Sequence, residues 1–246
     1  MIALLIVFLQ AFSILNGEVL RSGIVKGTKA VARQFPYQIS LRHNGAHTCG
    51  GAIVNLNTAL TAAHCVADRN PTRYAIVAGI THLAERGIVH QVARIILSDE
   101  IKDHAIFDLA ILKVAKPFVF NKLVAPIPLD MNGTGEGVTC IASGWGITRQ
   151  NGSVSQDLLF TDVNTITNEE CVKLQPYPSR RIYKSHLCTS TAEGKGVCQG
   201  DSGGPLACGG VLCGLTSWGW PCARGPPDCF FRISLFIEYI KFYMDQ

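Results

Sequence analysis

The chain has 246 residues, room for one large domain or two small ones, with 48% hydrophobic and only 16% charged residues. Charge this far below the ~25% of ordinary soluble domains, with so much apolar content, excludes intrinsic disorder and requires a buried core. Lys plus Arg number 22 against 18 Asp plus Glu, a net +4 with no basic block, which excludes a nucleic-acid footprint.

In chain order, Ile2 to Leu15 is apolar but for Gln10 and Ser13. That suits a secretory signal peptide over residues 1–17 and is too short for a membrane span, which needs ~20 apolar residues. No later stretch can span a bilayer. Tyr37 to Leu41, Ala52 to Val54, Tyr74 to Val77, Val89 to Leu97 and Leu109 to Val114 read as strands, and His43-Asn44-Gly45-Ala46 as a hairpin turn. Many short strands without intervening helical periods predict an all-β barrel or sandwich. One helical period closes the chain: Ile233, Phe236, Ile237 and Ile240 form a stripe, with Ser234 available near the cap.

Ten cysteines spread from Cys49 to Cys229 fit disulfides in an oxidising compartment. No paired C-x-x-C array is present, so a zinc site is not expected, and no other metal or cofactor is called for.

The chemistry concentrates in Gly200-Asp201-Ser202-Gly203-Gly204. A serine among glycines suits a nucleophile on a tight turn, where backbone N–H groups can approach a developing oxyanion. The pentapeptide also fits the G-x-S-x-G elbow of α/β-hydrolases, but those need a histidine after the serine, and the last histidine is His186. No Asp precedes His64, which excludes the subtilisin order. His64, in Thr61-Ala62-Ala63-His64-Cys65, and Asp108, in Asp108-Leu109-Ala110-Ile111-Leu112, each sit beside an apolar run where an unpaired charge is costly. Taken singly, one fits a satisfied core histidine and the other a strand-end turn residue. Taken with the glycine-flanked serine, they form the order His, Asp, Ser of a nucleophilic triad.

From Ile24 onward the sequence resembles the trypsin and chymotrypsin family of serine proteases. The landmarks are Ile24-Val25-Lys26-Gly27, Phe35-Pro36-Tyr37-Gln38-Ile39-Ser40-Leu41, Cys49-Gly50-Gly51, the His64 and Asp108 segments, Gly144-Trp145-Gly146, Gly200 to Leu206 and Ser217-Trp218-Gly219. The resemblance implies two six-stranded antiparallel β-barrels with a short C-terminal α-helix, and a protease domain over 24–246 behind an activation propeptide over 18–23. It implies Ser202 as nucleophile, His64 as general base, Asp108 as its orienting acid, and the N–H groups of Gly200 and Ser202 as oxyanion hole. Ser217, Trp218 and Gly219 match the strand that pairs with substrate backbone.

The resemblance also implies four bridges, Cys49 with Cys65, Cys140 with Cys208, Cys171 with Cys188 and Cys198 with Cys222. Cys213 and Cys229 remain, and a fifth bridge between them is expected, the alternative being two buried thiols. Activation in the family frees the Ile-Val amine to pair with the aspartate before the serine, here Ile24 and Asp201. Because Arg21-Ser22-Gly23 precedes Ile24, either a cut after Gly23 or trimming of Ser22-Gly23 is required. The family's pocket floor falls on Gly196, with Val197 next, and Pro227-Asp228 falls on the pocket wall. This favours mixed specificity for Arg or Lys and large apolar residues; a chymotrypsin-like or a narrowed pocket are the competing readings.

The family's calcium loop matches Gly79 to Gln91, with Glu85 as its only carboxylate and Ile80 at a ligand position, so calcium is not expected to bind. Asn132-Gly133-Thr134 and Asn151-Gly152-Ser153 are glycosylation sequons in turns. The whole reads as a secreted, extracellular, monomeric endopeptidase, made as a zymogen. Its partners are protein or peptide substrates and protein inhibitors, with no nucleic acid or membrane. The alternative function is an inactive homologue serving as a binding module.

Overall fold

The computed structural model describes residues 23–98, 106–148, 152–176, 181–190, 195–219 and 225–246. The expected signal peptide, most of the propeptide, Asn151 and Cys222 lie outside the described residues. Thirteen strands carry the fold: β1 (Thr28–Lys29), β2 (Gln38–His43), β3 (Ala46–Asn55), β4 (Thr58–Thr61), β5 (Tyr74–Ala78), β6 (Ile88–Ile96), β7 (Ala110–Val114), β8 (Thr139–Gly144), β9 (Leu159–Ile166), β10 (His186–Ser190), β11 (Pro205–Cys208), β12 (Val211–Trp218) and β13 (Asp228–Arg232). Strands β2-β3-β4-β7-β6-β5 close one antiparallel barrel. In the second, the order β9-β10-β13-β12-β11-β8 closes through a β8–β9 pairing, and β1 is added outside on β9. The chain therefore forms the two six-stranded barrels expected.

Alternation builds these walls. Leu159, Thr161, Val163 and Thr165 of β9 are buried while Asp162 and Asn164 are exposed, the period-two pattern of a strand with one wet face. Strand β2 is buried on both faces: Ile39 and Leu41 enter the first barrel's core with Ile53, Ile76 and Leu112, while Gln38 faces the other barrel and accepts a hydrogen bond from Ser143 Oγ at 2.7 Å. Asn44 and Gly45 form the predicted hairpin turn with φ of 50° and 86°, the paired positive φ of a type I′ turn.

The C-terminal stripe folds in two steps. Ser234–Phe236 forms a 3₁₀ turn, and the helix α2 (Ile237–Met244) follows, after the earlier α1 (Asn168–Leu174). Ser234 does not cap α2, whose cap position is Phe236. Ile233, Ile237 and Ile240 pack with Leu60 and Ile111 of the first barrel and Leu212, Leu215 and Phe231 of the second, so the helix seals the junction of the barrels.

Cys49–Cys65, Cys140–Cys208 and Cys171–Cys188 are bridged as expected. The fifth bridge is not. Strands β12 and β13 pair Gly214 with Arg232 and Trp218 with Cys229, so Cys213 and Cys229 lie several residues apart along the ladder. At ~3.4 Å per residue that offset exceeds what a disulfide spans. Cys213 instead lies within bonding reach of Cys208, and Cys229 Sγ sits 3.4 Å from Cys188 Sγ and 3.9 Å from Cys171 Sγ.

Candidate active site

His64 lies in the 3₁₀ turn Ala63–Val66 that leaves β4, pinned by the Cys49–Cys65 bridge, and Asp108 lies just before β7. Strands β4 and β7 are neighbours with Thr61 opposite Ala110, so the ladder itself brings the two residues together. Asp108, 3% exposed, accepts from the His64 backbone N–H at 3.0 Å through Oδ1. Its Oδ2 accepts from His64 Nδ1 at 2.8 Å and from Ser217 Oγ at 2.5 Å. With Nδ1–H committed to a buried carboxylate, Nε2 of the neutral ring is the acceptor, which is the tautomer a general base needs.

The serine loop is clamped from both barrels. Gly50 N–H of β3 donates to the Ser202 carbonyl at 2.8 Å, and Gly203 N–H donates to the Thr216 carbonyl of β12 at 2.6 Å. The approach at β3 is so close that a Cβ on Gly50 would stand 2.8 Å from the Gly204 Cα, and one on Gly203 (φ 71°) would meet Ala62 N at 2.8 Å. Glycine is required there because backbone meets backbone. Ala62 is two residues from His64, so this contact ties the Ser202 loop to the segment that carries His64. Among the described residues the N–H groups of Gly200 and Ser202 donate to no protein acceptor. A pair of open donors flanking a nucleophile can stabilise an oxyanion, each worth roughly 3–4 kcal/mol in the transition state.

Behind the loop, Asp201 is fully buried and accepts from Gly146 N–H at 2.7 Å and Cys198 N–H at 2.9 Å. Burial pushes its carboxyl up to about 7, and no cation pairs with it among the described residues. Ile24 is also fully buried, and Val25 N–H donates to the Gly196 carbonyl at 3.1 Å. The residues expected to form the pocket converge as well. The Asp228 carboxylate lies between two glycines: a Cβ on Gly196 would stand 2.6 Å from Oδ2, and one on Gly219 would stand 2.7 Å from Oδ1. Val197 N–H donates to Asp228 Oδ2 at 2.9 Å, and burial, with the nearby Asp201 charge, pushes this carboxyl up to about 7.

Two contributions were not foreseen from the sequence. Ser217, expected only in the substrate strand, also donates to Asp108. His47 donates from Nε2 to the Gly200 carbonyl at 3.2 Å, accepts at Nδ1 from Ser40 Oγ at 2.9 Å, and packs edge-on against Trp145. Burial lowers its pKa to about 4, so it stays neutral and braces the loop that carries the Gly200 and Ser202 amides. Its signal in the sequence was the Ser40 and His47 pair flanking the hairpin, which becomes meaningful only when β2 and β3 fold back.

The same arrangement recurs in known proteins. The Trypsin family model matches residues 24–240. The chain is 37% identical over 238 residues to "Trypsin-1" of Astacus astacus, covering 89% of this chain and 98% of that protein. It is 33% identical over 220 residues to "Chymotrypsin-2" of Vespa crabro, with the same coverage. Among solved structures, human heparin binding protein superposes with a TM-score of 0.80 at 28% identity, over 91% of this chain and 97% of that one. Mouse neuropsin, a serine protease, gives 0.80 at 29%, over 90% and 100%. With its two barrels, its His64–Asp108 pair and its clamped Ser202 loop, the chain belongs to the trypsin family and is a serine endopeptidase.

Proposed function

We propose that this endopeptidase is secreted as an inactive precursor and cleaves after both basic and large apolar residues. Ser202 attacks the scissile carbonyl while His64 takes its proton and later passes it to the leaving amine. Asp108 holds the imidazolium, and the Gly200 and Ser202 amides receive the oxyanion. Substrate backbone pairs along Ser217, Trp218 and Gly219. Disulfides among buried cysteines and the trypsin and chymotrypsin relatives support secretion, with residues 1–17 as signal, 18–23 as propeptide, and monomeric action on proteins and peptides, regulated by protein inhibitors. No helix among the described residues is long and apolar enough to cross a membrane.

The observation that carries the specificity is the Asp228 carboxylate set against Gly196 and Gly219, beside the apolar Val197. A buried carboxylate needs a cation or several hydrogen bonds, and Val197 N–H supplies one bond. An arginine or lysine side chain would supply the cation, and the uncharged remainder of the floor admits an apolar one. A serine-directed phosphonofluoridate should label the processed protein at Ser202 and leave Ser202→Ala unlabelled. Labelled protein that cleaves peptides with Arg and with Phe before the scissile bond meets the reading; absence of labelling ends it.

A further inference from the structure

Asp201 and Asp228 are held by consecutive backbone amides. Val197 N–H donates to Asp228 and Cys198 N–H to Asp201, both at 2.9 Å. One three-residue segment, Gly196 to Cys198, thus separates two buried carboxylates, Asp228 set against Gly196 and Gly219 and Asp201 set against Gly144 and Gly146. Around Asp228 the polar groups are few. Thr189, directly opposite it in the β10–β13 register, has a buried hydroxyl with no hydrogen-bond partner. The titratable and charged groups of the surrounding elements, among the described residues, are Asp201, the exposed Lys195 flanking Gly196, Cys229 and Arg232 on the same strand as Asp228, and His186 on β10, whose ring packs on Tyr183 and Trp218. Two like charges on one short segment in a dry site oppose each other's ionisation.

We propose that Asp228 is a protonation switch of substrate class, coupled to activation through Asp201. Protonated, it leaves a neutral pocket for Phe, Tyr or Leu; ionised, it receives Arg or Lys. An ammonium freed at Ile24 neutralises Asp201 and so favours the ionised form of Asp228. The inference rests on the mixed specificity proposed above and adds that the mixture is set by pH. The raised carboxyl of Asp228 agrees with this geometry, because its two causes are burial and the Asp201 charge.

The test uses the activated protein and two blocked peptides that differ only in Arg or Phe before the scissile bond. Ionisation of His64 and of the Ile24 amine affects both peptides alike and cancels in the ratio of their kcat/KM values. That ratio is expected to rise at least ~10-fold between pH 5.5 and 8.5 and then level off, reporting the ionisation of Asp228. In Asp228→Asn the ratio of the two kcat/KM values should be flat across the same pH range, whatever the level of either activity. A ratio independent of pH in the parent, or a rise that persists in the variant, overturns the switch. A second measurement reads the pocket without turnover or substitution: benzamidine should bind the parent ~10-fold tighter at pH 8.5 than at 5.5, and neutral benzamide should not. Equal benzamidine binding at both pH values also overturns it. Cleavage of only one peptide class at every pH, by contrast, ends the mixed-specificity reading itself.

Discussion

Val25 donates its backbone N–H to the carbonyl of Gly196, so the segment proposed for activation rests directly on the residue proposed as the pocket floor. Ile24, one residue earlier, is buried with φ of 38°, an unfavourable conformation for a β-branched residue that costs of order 1–3 kcal/mol. Cutting before Ile24 would relieve that conformation and free an ammonium that, carried to Asp201, would supply the cation this buried carboxylate lacks among the described residues. N-terminal sequencing of the active species is expected to give Ile24, by a cut after Gly23 or by removal of Ser22-Gly23. An active form beginning at Ser22 would refute this. Asp201→Asn should lower kcat/KM by about 100-fold or more, since a buried pair loses one charge. Activity should also decline at alkaline pH: an α-amine titrates near ~7.7–8.0 unperturbed, and pairing raises that value.

The uncut chain should lose stability as pH rises. Asp201 and Asp228 have carboxyls raised to about 7, so between pH ~4 and 7 the folded state holds protons that the unfolded state has released. Their stabilising contribution is complete at low pH and is lost on passing pH 7. His47, lowered to about 4, acts with the opposite sign: its contribution is present above pH ~6.5 and lost as pH falls to 4. Two groups against one leave a net fall in Tm from pH 5 to 8, at ~2–4 °C per kcal/mol for a chain of this size. Asp201→Asn should flatten that slope. Thermal scans showing the same slope in parent and variant would count against this account.

Ser217→Ala removes the shortest of the three hydrogen bonds to Asp108. We expect kcat to fall about 10-fold, corresponding to ~1.4 kcal/mol, because the buried carboxylate loses a donor while His64 Nδ1 keeps its own. KM should change less than kcat. A purely backbone-binding role for Ser217 would give the reverse split in steady-state kinetics.

Calcium should not raise Tm. Glu85, the one carboxylate of the Gly79 to Gln91 loop, already accepts at Oε1 from His82 N–H at 2.8 Å and from the Thr81 N–H and hydroxyl at 3.3 Å. The side chain closes the loop on itself, with too little oxygen charge left for a hard cation. Glu85→Ala should therefore destabilise the chain by about 1 kcal/mol whether or not calcium is present. A saturable rise in Tm with millimolar calcium would contradict the assignment.

Peptide mapping under non-reducing conditions should recover Cys49 linked to Cys65, Cys171 linked to Cys188, and Cys208 linked within its cluster with Cys140 and Cys213. No peptide linking Cys213 to Cys229 is expected, given the β12–β13 register. Finding one would show that the register in solution differs.

The sequence by itself marked the candidate chemistry and most strands of the first barrel, while the barrels themselves came only from the family resemblance. His64, Asp108 and Ser202 stand out because a titratable residue beside an apolar run, or a serine among glycines, is a local exception to local rules. The strands Gln38–His43, Tyr74–Ala78, Ile88–Ile96 and Ala110–Val114 are rich in the branched apolar residues that mark strands. The start of β3 was hidden, because Cys49-Gly50-Gly51 lacks strand propensity; those glycines answer to the serine loop packed on them, a contact between residues about 150 positions apart. No strand of the second barrel was named from the sequence, and β11 and β12 in particular are obscured in the same way by proline, glycine and cysteine. Tertiary structure alone decided that Cys213 and Cys229 are separated by register, that Ser217 serves Asp108, and that consecutive amides hold Asp201 and Asp228. Each of these depends on which strands become neighbours and on how far they slide, a choice made by the whole barrel as it closes and not by any segment's composition.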